Sequence, residues 1–92
     1  MTVIEIIREK VRNQKYEFAL PHFVEEMAND DLVLADIETA VAQGRIRRRF
    51  SRDLRGPRYE VVGPGTNGRQ VAVICRIKAT GMLLFITTYL VE

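Results

Sequence analysis

LADIETAVAQGRIRRRF, residues 34–50, changes its period at Gly44. Before the glycine, Leu34, Ile37 and Val41 recur at spacings of three and four, the signature of a helix with one apolar face. After it, Ile46 and Phe50 alternate with Arg47 and Arg49, the signature of a strand with one basic face. Gly44 is suited to a left-handed stop between the two. Arg48 falls on the apolar side of that strand and has to escape at a sheet edge. The chain therefore passes from helix to sheet at this point, and the segments on either side follow suit.

Upstream, TVIEIIREKVRNQ places Ile4, Ile7 and Val11 on one face with Val3 beside them. Thr2 is positioned to cap this helix, with Glu5 three residues later as its capping-box partner. A second helix is predicted from Pro21, where a missing amide costs nothing, through HFVEEMAND with Phe23, Val24 and Met27 as its apolar stripe. Downstream, RYEVVG reads as a strand closed by the turn GPGTNG. QVAVICRI is nearly continuous in apolar residues, as expected of a central strand covered on both faces. Ala79-Thr80-Gly81 makes the next reversal, and LLFITTYL is the last strand. Short links between successive strands favour an antiparallel meander. The predicted architecture is α+β in a single domain of residues 1–92: helices over about residues 2–43, packed on one face of a four-stranded antiparallel sheet over about residues 45–91.

Charge is divided as sharply as structure. Residues 1–44 carry four basic and nine acidic side chains, a net of −5, and residues 45–92 carry ten basic and three acidic, a net of +7. The overall +2 conceals this dipole. Seven arginines fall between Arg45 and Arg58, with Asp53 the only acid among them. A patch of this kind attracts phosphates over long range, which points to a polyanionic partner. Two other readings stay open: arginines blunting a sheet edge against aggregation, and arginines paired with the acidic helices of the same chain.

Composition excludes several classes. At 47% hydrophobic and 28% charged, the chain has the composition of a folded domain. No apolar run approaches the ~18 residues that span a bilayer, and the charged, amphipathic start is not a signal peptide, so a cytoplasmic protein without membrane contact is expected. One cysteine, Cys75, and one histidine, His22, cannot build a zinc site from the usual ligand sets, and neither metal nor cofactor is expected. Cys75 lies in VAVICRI and reads as a small buried hydrophobe.

Several short pieces, in order and spacing, carry a resemblance. They are His22 opening HFVEEM, Asp36 and Glu38 in ADIETAVAQG, the turn Asp53-Leu54-Arg55-Gly56-Pro57 followed by Tyr59, Gly63, the Gly68-Arg69 pair, and Thr87-Thr88-Tyr89. Together they resemble a family of small bacterial proteins labelled as domain of unknown function 4258, over nearly the whole chain. The helix-then-sheet plan is in turn similar to the RelE/MqsR group of toxin nucleases, which implies a RelE-like fold and a type II toxin–antitoxin role, with RNA as substrate and a cognate antitoxin as partner. The chain departs from the family at Glu26, usually Arg, and at Val71-Ala72, where a His is usual.

RelE-like cleavage needs no metal. A 2′-hydroxyl attacks the adjacent phosphate, and the protein activates that hydroxyl, neutralises the phosphate charge and protonates the leaving oxygen. For that chemistry His22, Arg69 and Tyr89 are the candidate catalytic group of a metal-independent endoribonuclease, and each has a structural reading beside it: His22 as a packing or capping residue, Arg69 as a hairpin-flanking surface charge, Tyr89 as a core ring with its hydroxyl at the rim. Arg45, Arg47 and Arg49, projecting together from one strand face, and Arg52, Arg55 and Arg58 on the following loop are placed to track a phosphate backbone, with Tyr59 and Phe50 either stacking on unpaired bases or forming the inward face of their strands. The alternative is a non-catalytic module whose arginines dock an acidic protein or a second copy of the chain as a homodimer.

Overall fold

The computed structural model describes residues 1–91. In chain order the elements are α1 (Val3–Arg12), β1 (Tyr16–Phe18), α2 (His22–Asn29), α3 (Leu34–Gln43), β2 (Arg45–Phe50), β3 (Arg58–Pro64), β4 (Gln70–Ile77) and β5 (Leu83–Leu90). The strands form one sheet in the order β1-β5-β4-β3-β2. Strands β2 to β5 make the expected antiparallel meander.

The expectation of four strands is corrected by β1, which adds a fifth and runs parallel to β5, with Tyr16 opposite Leu83 and Phe18 opposite Phe85. Three residues are too few to show a period, so YEF becomes a strand only because β5 offers it an edge. Leu83 N–H donates to Lys15 C=O at 3.0 Å, and Ala19 N–H donates to Phe85 C=O at 2.9 Å. Side chains reinforce the pairing: Phe18 and Phe23 rings both lie against Phe85, with centroids 5.9 and 5.5 Å away.

The helices form as their patterns direct. Thr2 caps α1: Glu5 N–H donates to its hydroxyl oxygen at 3.3 Å, and the Glu5 carboxylate accepts from the Thr2 hydroxyl at 2.7 Å. Ile7 and Val11 are buried from α1, Phe23 from α2, and Ile37, Ala40 and Val41 from α3. Val24, expected in the apolar stripe of α2, is 45% exposed, because one short helix on the sheet buries only the side of Phe23 and Met27. Gly44 is a second correction. Its φ of −88° and ψ of −175° are extended, not left-handed. Its small size is needed instead: a Cβ there would fall on the backbone of Ala40 and Val62, where α3 ends against β3. Arg8 of α1 closes that helix end, donating from Nε to Val41 C=O at 3.1 Å and from Nη2 to Gly44 C=O at 2.6 Å.

All three helices pack on one face of the sheet, over Tyr59, Val61, Val71, Val73, Cys75, Leu83 and Phe85. Alternate residues of the same strands, Glu60, Ala72, Ile74, Arg76 and Tyr89, occupy the other face. QVAVICRI is indeed the central strand, but helices cover only one of its faces. Long polar side chains from the sheet itself cover the other, which is why Arg76 is only 6% exposed there. Among the described residues, no helix is long and apolar enough to cross a membrane.

Candidate functional site

The open face of the sheet is organised by two carboxylates, each ringed by arginines. Glu60 stands in the middle of β3, and its side chain is 1% exposed. A charge in that position survives only with partners. Arg47 Nε donates to Glu60 Oε1 at 2.6 Å, Arg48 Nε lies 3.5 Å from the same oxygen, and the Tyr89 hydroxyl donates to Oε2. Burial pushes the Glu60 carboxyl up. The hydrogen bonds from Arg47 and Tyr89, with the charges of Arg47 and Arg48, outweigh it and hold the group below the ordinary carboxylate range. Burial and the neighbouring carboxylate both push the Tyr89 phenol up, so it stays protonated.

The second hub is Asp53, in the turn between β2 and β3. Arg55 N–H donates to Oδ1 at 2.9 Å, Arg76 Nη2 donates to Oδ2 at 2.6 Å, and Arg58 Nε lies 3.6 Å from Oδ2. The Arg55 amide bond is the main reason the Asp53 carboxyl sits below its ordinary range, with the Arg55 and Arg76 guanidinium groups adding to it. The Arg58 guanidinium also lies 5.2 Å above the centre of the Phe50 ring.

A β-bulge explains how the arginines of β2 reach these partners. Ile46 is opposite Val61 and Arg48 opposite Glu60, so Arg47 is an extra residue in the ladder. Arg48 thereby leaves the apolar side, on which strict alternation would have left it. The bulge also breaks the expected grouping of Arg45, Arg47 and Arg49. Arg45 is opposite Val62 and Arg47 turns to Glu60, whereas Arg49 is opposite Tyr59 with its guanidinium 5.9 Å from that ring. Tyr59 itself is a core residue, 7% exposed, so its ring is occupied by packing and is not presented for stacking.

The three residues assigned to catalysis are not brought together. His22 opens α2 on the helical layer, its Nδ1 3.8 Å from Glu26 Oε1. Arg69 works at the other end of α2, donating to the carbonyls of Asp30 and Asp31 at 3.4 and 3.3 Å. The eight residues of α2 separate these two points by about 12 Å. Tyr89 lies on the opposite face of the sheet, in contact with Glu60. Asp36, one of the residues behind the family resemblance, ties α3 to the β3–β4 turn by accepting from Thr66 N–H at 2.8 Å and from the Thr66 hydroxyl at 2.6 Å. The Thr66 hydroxyl bond is the main cause of a carboxyl held below its ordinary range.

Sequence reasoning missed Glu60 and Arg76. Each was marked by a charge inside an otherwise apolar strand, in RYEVVG and in VICRI, and such a charge needs a partner across the sheet. The acidic helices make no ion pair with the cluster among the described residues; Asp53 and Glu60 supply all its partners. Five arginines (Arg47, Arg48, Arg55, Arg58 and Arg76) thus surround two carboxylates, a surplus of three positive charges. Among the described residues no three metal-ligating side chains gather.

No curated protein and no solved structure matches the chain. The family described as "Domain of unknown function (DUF4258)" matches residues 20–90, from the entry into α2 to the end of β5, and the chain belongs to that family.

Proposed function

We propose that this protein binds RNA across the open face of its sheet, as a toxin-like member of a toxin–antitoxin pair with a RelE-like plan. The observation that carries the reading is the surplus of positive charge around Glu60 and Asp53, on a face no helix covers. Arginine forks match phosphate oxygens in geometry and charge, and they keep their charge at any accessible pH. Phe50 adds a ring among them. Metal-independent cleavage belongs to the same proposal. Tyr89 is the one member of the catalytic trio on this face; its protonated phenol is suited to donate to a leaving oxygen, and Arg47 and Arg48 stand beside it to neutralise the phosphate.

A second reading is a non-catalytic module that takes an acidic protein, or a second copy of the chain, on this face. It draws on one observation: a carboxylate held low beside a phenol held high is the pattern of a locked ion-pair group, whereas a general base is tuned toward neutral pH.

The readings separate in two measurements. Single-stranded RNA is titrated at several salt concentrations against the wild type and an Arg45→Ala/Arg48→Ala variant. RNA binding predicts a loss of affinity and a salt slope shallower by roughly 0.7 for each phosphate contact removed. An unchanged slope removes RNA from the account of this face. Expression of the chain alone in a bacterial host then tests cleavage: growth arrest relieved by Tyr89→Phe supports the enzyme, and harmless expression with intact RNA supports the module.

A further inference from the structure

Arg49, Phe50, Arg52, Asp53, Arg55 and Arg58 are among the residues lining an open cavity of about 810 Å³ at the β2–β3 turn. Its one carboxylate is oversubscribed. Asp53 already meets Arg55, Arg58 and Arg76, and even so the Nε atoms of Arg58 and Arg76 are buried without a hydrogen-bond acceptor. Arg76 is itself only 6% exposed. Buried donors in native proteins nearly always find an acceptor. Arg52 and the outer nitrogens of Arg58 have no protein acceptor among the described residues. The cavity is thus short of acceptors and of negative charge, and Phe50 stands in its wall with one face against Arg58.

The geometry points to a site for a nucleotide bearing a terminal phosphomonoester: the phosphorylated end of an RNA strand, seated in the β2–β3 turn. This rests on the RNA reading and adds to it the part of the strand that is recognised. A monoester carries about −1.5 to −2 charge at neutral pH against −1 for an internal diester, and it offers three acceptor oxygens. Four lining arginines against one carboxylate leave a surplus of three, which a dianion matches better than a single backbone phosphate does. The cavity is of the size that holds a small organic ligand, so the terminal base is accommodated with its phosphate, and Phe50 and the planar Arg58 group provide stacking surfaces for it. Asp53 acts as the positioning residue, holding the guanidinium groups in place before a ligand arrives.

The test compares one RNA sequence carrying a 5′-phosphate, a 3′-phosphate or only hydroxyl ends, by fluorescence anisotropy at fixed salt. A phosphorylated end is expected to bind about tenfold tighter or more, the worth of one or two charge-assisted hydrogen bonds. The 5′ and 3′ arms show which end is taken. Arg52→Ala removes an exposed side chain that makes no hydrogen bond or ion pair among the described residues, and it is expected to weaken phosphate-ended RNA by a larger factor than hydroxyl-ended RNA, narrowing the difference between ends; equal weakening of both overturns the inference. Equal affinity for all three RNAs overturns the inference and leaves the RNA reading standing. No binding to any of them removes both.

Discussion

The two faces of β3 and β4 are built from alternate residues of the same chain, yet they are stabilised in different ways. On the helical face, Tyr59, Val61, Val73 and Cys75 are buried among Ile7, Phe23, Ile37 and Phe85, and the force is the removal of apolar surface from water. On the open face Glu60 and Arg76 are equally hidden, but their neighbours are arginines, a phenol and a carboxylate. The first arrangement tolerates no charge. The second needs every charge it has, because each buried ion is kept there by its partner. One sheet thus has a side that holds the fold together and a side whose surplus charge is left for something else.

The largest expected effect comes from breaking the helical face. Phe85 is 1% exposed and touches Tyr16, Phe18 and Phe23, so Phe85→Ala is expected to cost about 3–5 kcal/mol in urea unfolding. That is a large part of the ~5–15 kcal/mol typical of a small domain.

Alkaline pH probes the same face more gently. Burial pushes the Cys75 thiol up to about 12, so it stays neutral in the fold while the unfolded thiol ionises near its ordinary value of about 8.5. Stability is therefore complete below about pH 8.5 and falls as pH rises toward 12. Unfolding midpoints across that range check it, and Cys75→Ala is expected to flatten the decline. The raised Tyr89 phenol acts in the same direction and leaves a residual slope.

Glu60→Gln tests the open face. It keeps the shape but removes the charge that Arg47, Arg48 and Tyr89 share, and a loss of about 1–3 kcal/mol is expected. The pH signature runs opposite to that of the thiol. A carboxyl held low contributes stability above its ordinary value of about 4.3, and the contribution disappears as pH falls through the folded value. The acid decline in the midpoint is expected to be shallower in the Gln variant, leaving the share due to Glu5, Asp36 and Asp53.

The smallest effect sharpens the contrast. Leu54, at the tip of the arginine turn, is fully exposed, and Leu54→Ser is expected to change stability by less than about 0.5 kcal/mol. A larger loss would mean that the turn serves the fold and not a ligand.

Particular residues show how far the chain could be read unaided. The capping box at Thr2 and Glu5, the apolar stripe of α3 and the change of period at Gly44 are local, and they are visible because each depends on neighbours within a few positions. The strand β1 was not visible, because it exists only through β5, more than sixty residues away. The arginine cluster was legible as composition. Its arrangement was not, since a single bulge at Arg47 redirects three side chains. The trio of His22, Arg69 and Tyr89 shows the same limit: each was noticed for its chemistry, and no local rule says which face of a sheet a residue shares with another.

By itself, then, the order of amino acids determined that helices precede a meander and that positive charge gathers in the second half, because period and charge are carried by near neighbours. Only the tertiary structure decided that Glu60 and Asp53 become the centres of that charge, and that helices take one face and leave the other open. Pairing across strands brings together residues such as Arg47, Glu60 and Tyr89, and the free energy of a buried ion depends on the partners the fold delivers, not on its position along the chain.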